Sequence, residues 1–284
     1  MRNRRRTVRR PAAIVTCAVF LTSCGGEREV SPEPALVGGG GTLSAQLNTG
    51  TRAILPNEPG KNWVFDAYVS ANSPDVAWSR FWTKSIDFSG VAWDKPQTLT
   101  MISPRHAVMA KHYQRPPKAQ SVLFHDRRGR EVQRVIVGRE FLGADIAVVI
   151  LNEDVPDTVK TYPVLSPSDR YEEEFPGTFV LVTDRERKVH VHEVRLVLGQ
   201  LVYFRRAESL AEGFYEGLIA GDSGNPSFVL VRGQPVLVET HTGGGPGAGP
   251  FYGAAENVEA INAAMQKLSA EHGAPGYQLR TVAP

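Results

Sequence analysis

Apolar positions along the chain fall into three regimes. Over 12–21 they form one unbroken run, AAIVTCAVFL, directly after the basic stretch RNRRRTVRR. From Ser31 to Lys61 proline, glycine and small polar residues dominate, with little periodic apolar pattern. Beyond Lys61 short apolar or alternating runs recur between turn residues: TLTMIS (98–103), SVLFHD (121–126), VQRVIVG (132–138), DIAVVIL (145–151), GTFVLVT (177–183), VHVHEVRLVLGQLVYF (189–204), PSFVLV (226–231) and PVLVETHT (235–242). Runs rich in Val, Ile, Phe and Thr at spacings of roughly 8–12 residues predict an all-β sandwich or barrel. Only ENVEAINAAMQKLSAEHG has a helical period, with Val258, Ile261, Met265 and Leu268 at steps of three and four. Neither an internal repeat nor the strand–helix alternation of a parallel sheet is present.

The first regime predicts an export signal over 1–23, a basic segment followed by a short apolar one and small residues. Its apolar run is too short to span a bilayer, which takes roughly 20 residues. Leu21-Thr22-Ser23-Cys24 resembles the lipobox of bacterial lipoproteins. That resemblance implies lipidation of Cys24 and export to the cell envelope, with Gly25 favouring the outer membrane. The alternative is a periplasmic or secreted protein cut nearby. Residues 24–61 are then expected to be a flexible tether, since so few apolar residues cannot offset the entropy of ordering.

Charge alters this picture once the signal is set aside. The formal net charge is +2, but six arginines lie in the signal, leaving 26 Lys+Arg against 30 Asp+Glu, or −4. No basic face for nucleic acid is indicated, and the expected contact with a membrane is through the lipid anchor only. The two cysteines, Cys17 and Cys24, both fall at the amino end, so the body of the chain must be held by its core.

The chemistry is concentrated in three phrases. GLIAGDSGNPSF (217–228) offers Ser223 in a glycine-rich turn; serine needs a base within hydrogen-bond reach, and the base needs an orienting carboxylate. TMISPRHAVMAKHYQ (100–114) offers His112 after a strand-like run, with His106 before it expected to be structural or exposed. GADIAVVIL (143–151) offers Asp145 at the entrance of an apolar strand.

In this order the phrases resemble those of chymotrypsin-like serine proteases. Met109–Tyr113 resembles the surroundings of that family's base, with Tyr113 where many members have a cysteine and Lys111 where a small residue is usual. Asp145-Ile146-Ala147 resembles its acid phrase, and Gly221–Pro226 its nucleophile phrase, with Asn225 in place of a glycine. The resemblance spans roughly Val91–Leu268. It implies two packed six-stranded antiparallel barrels and a C-terminal helix, with the protease domain over 62–272 and a tail over 273–284. It also implies that His112 and Asp145 come from the first barrel and Ser223 from the second, and that the backbone N–H groups of Gly221 and Ser223 hold the oxyanion.

The implied activity is that of a serine endopeptidase acting on a protein or peptide substrate, without cofactor or metal. Gly217, His241 and Gly243 are expected to line the specificity pocket. His241 stands where the family's glutamyl endopeptidases bind an acidic side chain, which implies a preference for Glu or Asp before the cut bond. Asp222, the partner of a freed amino terminus in trypsin-like members, is expected to find another partner here. His190 and His192 alternate on one strand and are read as two exposed histidines rather than a metal site, since a third ligand is not evident. Trp63, Trp78, Trp82 and Trp93 are read as core or barrel-capping residues. Two other functions fit the same residues, a non-catalytic binding module on this fold and an esterase using the same triad. Oligomeric state is not written in the sequence.

Overall fold

In a computed structural model the apolar runs become the strands of two curved sheets. The structure describes residues 42–68, 76–118 and 120–284, all within the unit Gly38–Pro284. The expected signal and Cys24 lie outside the described residues.

A short ribbon, β1 (Phe65–Ala67) with β2 (Ala77–Trp78), precedes the first large sheet. That sheet comprises β3 (Val91–Ala92), β4 (Leu99–Met101), β5 (His106–Ala110), β6 (Ser121–His125), β7 (Glu131–Phe141) and β8 (Ile146–Leu151). Its order is β3-β4-β5-β8-β7-β6, and β6 curls back toward β3 to make a nearly closed barrel. The second sheet comprises β9 (Val164–Leu165), β10 (Phe179–Thr183), β11 (Val189–Leu198), β12 (Leu201–Arg206), β13 (Pro226–Val231), β14 (Gln234–Thr240), β15 (Ala248–Pro250) and β16 (Thr281–Val282). Its order is β15-β12-β11-β10-β13-β14-β9-β16, a half-barrel of eight strands rather than the closed six-stranded barrel expected.

The continuous apolar runs have a simple cause. Strands that are buried on both faces need no polar alternation. Along β8, Ala147, Val149 and Leu151 fill the first barrel, while Ile146, Val148 and Ile150 join the cluster between the two sheets. Likewise Val180, Val182, Val229, Val231, Val236 and Val238 fill the second sheet's interior, and Leu181, Phe228 and Leu237 face the first. Full burial of each large aliphatic side chain contributes roughly 2 kcal/mol, which fixes these strands firmly beneath the loops that leave them.

Among the described residues three α-helices complete the fold: α1 (Thr42–Arg52), the single-turn α2 (Tyr171–Glu174) and α3 (Ala255–Glu271). The predicted helical face of α3, with Val258, Ile261, Met265 and Leu268 buried, packs on β7 and β8. Within the expected tether, Thr42–Arg52 form helix α1 instead. It packs on β10 and β13 with Leu47 and Thr51 buried, and Asn48 bonds the backbone on both sides of a bend, Nδ2 to Gly177 O (2.8 Å) and Oδ1 from Phe179 N (2.6 Å). The apolar contacts of α1, Leu43 and Leu47, make a single step of four, too short to stand out as a stripe in the sequence. The expected tail is corrected as well: Leu279 is buried in the core between the sheets, and β16 pairs with β9. Of the tryptophans, Trp93 is buried but Trp63 is 41% exposed, covered on one face by the Lys61 ammonium at 4.7 Å.

Candidate active site

His112 and Asp145 meet because β5 and β8 are antiparallel neighbours. Their register pairs Ala110 with Ile146, and the ladder continues one step as Lys111 N–H donates to Asp145 O (2.8 Å). The residue after Lys111 therefore sits against the carboxylate. His112 N–H donates to Asp145 Oδ1 (2.9 Å), and His112 Nδ1 lies 2.6 Å from Asp145 Oδ2. Asp145 holds this position in a left-handed backbone conformation, φ 66°, which aspartate tolerates better than most residues.

From the second sheet comes the turn before β13. Ser223 Oγ lies 2.9 Å from His112 Nε2. A proton on Nδ1, facing the carboxylate, leaves the Nε2 lone pair for the serine hydroxyl, which is the tautomer a general base requires. Sequence reasoning missed one contributor, Thr242 just beyond β14. Its hydroxyl donates to Asp145 Oδ2 (3.0 Å), so the carboxylate accepts from both sheets. The signal available was its place directly after His241 at the end of an apolar strand.

Several N–H groups of the turn are taken up within the protein. Asp222 N–H donates to Ile219 O, Gly224 N–H to His241 O, and Asn225 N–H to Asp222 O. The N–H groups of Gly221 and Ser223 have no protein acceptor among the described residues. Gly221 has φ 101°, and a Cβ there would come within 2.8 Å of Arg185 Nη1, so only glycine fits. Two free N–H groups beside a serine hydroxyl can hold an oxyanion.

Asp222 is buried, with Oδ1 accepting from Arg185 N–H (3.1 Å) and Oδ2 from Ile219 N–H (2.7 Å). Those two backbone amides are the partner expected in place of an amino terminus. Asn225 is completely buried and does not face substrate. Its Oδ1 accepts from Trp93 Nε1 (3.2 Å) and Thr98 Oγ1 (3.0 Å), and its Nδ2 donates to Asp222 O (3.0 Å). A glycine could make none of these side-chain bonds, which tie the serine's turn to the loop after β3. Lys111 points away, its ammonium bonded to Leu142 O (3.2 Å), and the Tyr113 ring stacks on His112 with centroids 6.4 Å apart.

The expected pocket residues are arranged differently. Leu218, next to Gly217, pairs through both its N–H and its C=O with Gly245 (2.7 and 2.8 Å), closing that side of the turn. Gly243 is half-buried, bonded through its N–H to Ala248 O (2.9 Å). His241 is buried, with Nε2 2.9 Å from Thr183 O and Nδ1 2.7 Å from Glu239 Oε1. The second contact is poorly aligned for a hydrogen bond. Burial opposes charge on this imidazole, but the Glu239 carboxylate outweighs it and the pKa is raised. Both ring nitrogens are occupied within the protein, so His241 does not present a free cation to an acidic side chain.

The remaining histidines are internal. His106 is buried; Ser103 Oγ, already accepting His106 N–H, faces Nδ1 at 2.9 Å, and Ser269 Oγ faces Nε2 at 3.3 Å. His190 and His192 are buried rather than exposed as expected. His190 also finds neighbours that sequence spacing does not show, Asp184 and Glu216, with ligand atoms all within 4.8 Å. Asn62 Nδ2, fixed as a donor by Val189 O (3.1 Å), faces His190 Nδ1 at 3.4 Å. The ring proton then sits on Nε2 and donates to Asp184 (2.9 Å).

No protein-family model matches the chain, and a search of curated proteins returns no significant match. The geometry therefore carries the functional reading alone.

Proposed function

We propose that the protein is an exported serine endopeptidase with a chymotrypsin-like site, its second, half-open sheet standing for the second barrel of that fold. The observation that carries the reading is the continuous relay from Asp145 through His112 to Ser223, at 2.6 and 2.9 Å, beside two unengaged N–H groups. Ser223 Oγ attacks the carbonyl carbon of the substrate while its proton passes to His112 Nε2. The tetrahedral oxyanion accepts from the N–H groups of Gly221 and Ser223. Its collapse breaks the C–N bond, and the His112 imidazolium gives its proton to the departing amine. Water then repeats the sequence on the acyl-enzyme and restores Ser223. Asp145 orients the imidazole and stabilises its charged form, and Thr242 orients Asp145.

A peptide fits the site because the His112 side chain is 45% exposed, so an extended chain reaches the relay without entering a closed cavity. Asp222 is anchored by backbone amides, so the proposed enzyme assembles without a cleaved amino terminus. The preference for acidic residues expected from His241 is not carried forward, since that ring is engaged by Glu239. Export and lipidation of Cys24, with anchoring at the outer membrane, remain part of the proposal on the strength of the amino-terminal sequence.

Labelling by a fluorophosphonate tests the reading. Covalent labelling of the wild type, abolished in Ser223→Ala and strongly slowed in His112→Ala, is expected. A folded wild type that resists the reagent would instead fit a binding module on this fold.

A further inference from the structure

On the side of the serine's turn away from Gly245 lies a cleft of about 320 Å³. Its walls include Trp93, Lys95, Tyr113, Arg185, Arg187 and Gly221. Two of these place it at the leaving-group end of the site. Tyr113 stacks on the imidazole that must protonate the departing nitrogen, and Gly221 bears one of the two free N–H groups. The acyl part of a substrate stays on Ser223, so what departs past His112 passes into this cleft.

Its charge is one-sided. Among the described residues Lys95, Arg185 and Arg187 have no carboxylate at ion-pair distance. Arg185 Nη1 donates to Ala220 O (2.9 Å). The Arg187 guanidinium lies 3.8 Å over the Tyr68 ring and donates to Trp93 O (3.3 Å), while its buried Nε has no hydrogen-bond partner. Backbone φ at Arg187 is 65°, a conformation that costs an arginine roughly 1 kcal/mol or more, so the loop holds it against a local preference. The two carboxylates in its walls, Asp94 and Glu186, are each paired within the protein. Asp94 is held by both Nη atoms of buried Arg115 (2.9 and 2.5 Å), and Glu186 by Lys188 (2.7 Å).

We propose that this cleft selects substrates whose leaving segment carries a carboxylate, supplied by an Asp or Glu side chain or by the peptide's own carboxyl terminus. The proposal rests on the acyl-enzyme reading of Ser223. Three solvent-accessible cations acting on one carboxylate are expected to favour it by roughly tenfold at low salt, falling as salt screens them.

Acyl transfer measures this without knowledge of the acyl-side preference. Ser223 is acetylated with 4-nitrophenyl acetate, and dipeptide amines compete with water for the acyl-enzyme. The amine nitrogen forms the new C–N bond, the C–Oγ bond breaks, and Ser223 regains its proton through His112. The ratio of aminolysis to hydrolysis is internal to each reaction, so it is insensitive to overall activity. Ala-Asp-amide is compared with Ala-Asn-amide for a side-chain carboxylate, and Ala-Ala with Ala-Ala-amide for a terminal one. The carboxylate member of at least one pair should win by roughly tenfold, with the advantage reduced in Lys95→Gln and retained in Lys95→Arg. Equal partitioning within both pairs overturns the inference while leaving the acyl-enzyme intact. A preference untouched in both Lys95→Gln and Arg185→Gln overturns the assignment to this cleft. Absence of ester turnover through Ser223 overturns the proposed function, and this inference with it.

Discussion

Replacing Asn225 with alanine removes one carbonyl oxygen and one amide from a fully buried position. Three hydrogen bonds go with them, those from Trp93 Nε1, from Thr98 Oγ1 and to Asp222 O. Each bond contributes about 1 kcal/mol net, and a buried group left unsatisfied costs about 1–3 kcal/mol. Thr98 Oγ1 retains a weak contact with Pro96 O at 3.5 Å, but Trp93 Nε1, in a side chain only 4% exposed, is stranded. The expected loss is therefore about 3–4 kcal/mol, a large share of a typical domain's stability. Guanidinium denaturation followed by tryptophan fluorescence reads it directly. The rate of fluorophosphonate labelling should fall in the folded variant too, because the turn carrying Ser223 loses its tie to the first barrel. Asn225→Gly should be no better, since it loses the same bonds and loosens the backbone. A loss below about 1 kcal/mol with unchanged labelling would refute the view that Asn225 positions the turn.

Thr242→Val removes a donor to Asp145 Oδ2 while keeping the side-chain shape, and labelling of Ser223 should slow roughly tenfold, as befits about 1.5 kcal/mol for a bond to a charged acceptor. Burial lowers the His106 pKa from 6.5 to about 4, so stability is intact above pH 6.5 and is lost as pH falls toward 4. The loss amounts to about 3 kcal/mol, and His106→Gln should lessen that acid limb in denaturation measured across pH without abolishing it, because burial lowers His192 to about 4 as well. The raised pKa of His241 acts in the opposite sense, its contribution being full below pH 6.5 and lost as pH rises through the folded value; His241→Gln should remove that alkaline decline. Leu279→Ala should cost about 2–4 kcal/mol, whereas a free tail would register no change in the denaturation midpoint.

What the sequence disclosed depended on whether an interaction leaves a periodic trace. Strands buried on both faces appear as unbroken runs such as IAVVIL, and the face of α3 appears at steps of three and four. The order of His112, Asp145 and Ser223 was legible because each residue sits in a distinctive phrase at a strand end. Helix α1 was not legible, because Asn48 docks it through the backbone of Gly177 and Phe179 and the sequence there looks like a linker. Pairing of the C-terminal strand β16 with the distant β9 was equally invisible, since a two-residue strand has no period. Thr242 and the pairing of Glu239 with His241 depend on which sheet faces which, and that is a property of packing rather than of spacing. In the sequence Asn225 is only a departure from the glycine of the phrase it resembles; its burial reveals it as a brace.

The bonds that assemble the site cross from one sheet to the other: His112 to Ser223, Thr242 to Asp145, and Trp93 and Thr98 to Asn225. Neither half holds a working set alone, so the hydroxyl's reactivity reports on the alignment of two separately packed interiors. Slippage of a fraction of a hydrogen-bond length along that seam would silence Ser223 while both sheets kept every strand. Under rising denaturant, reactivity should therefore vanish before secondary structure does.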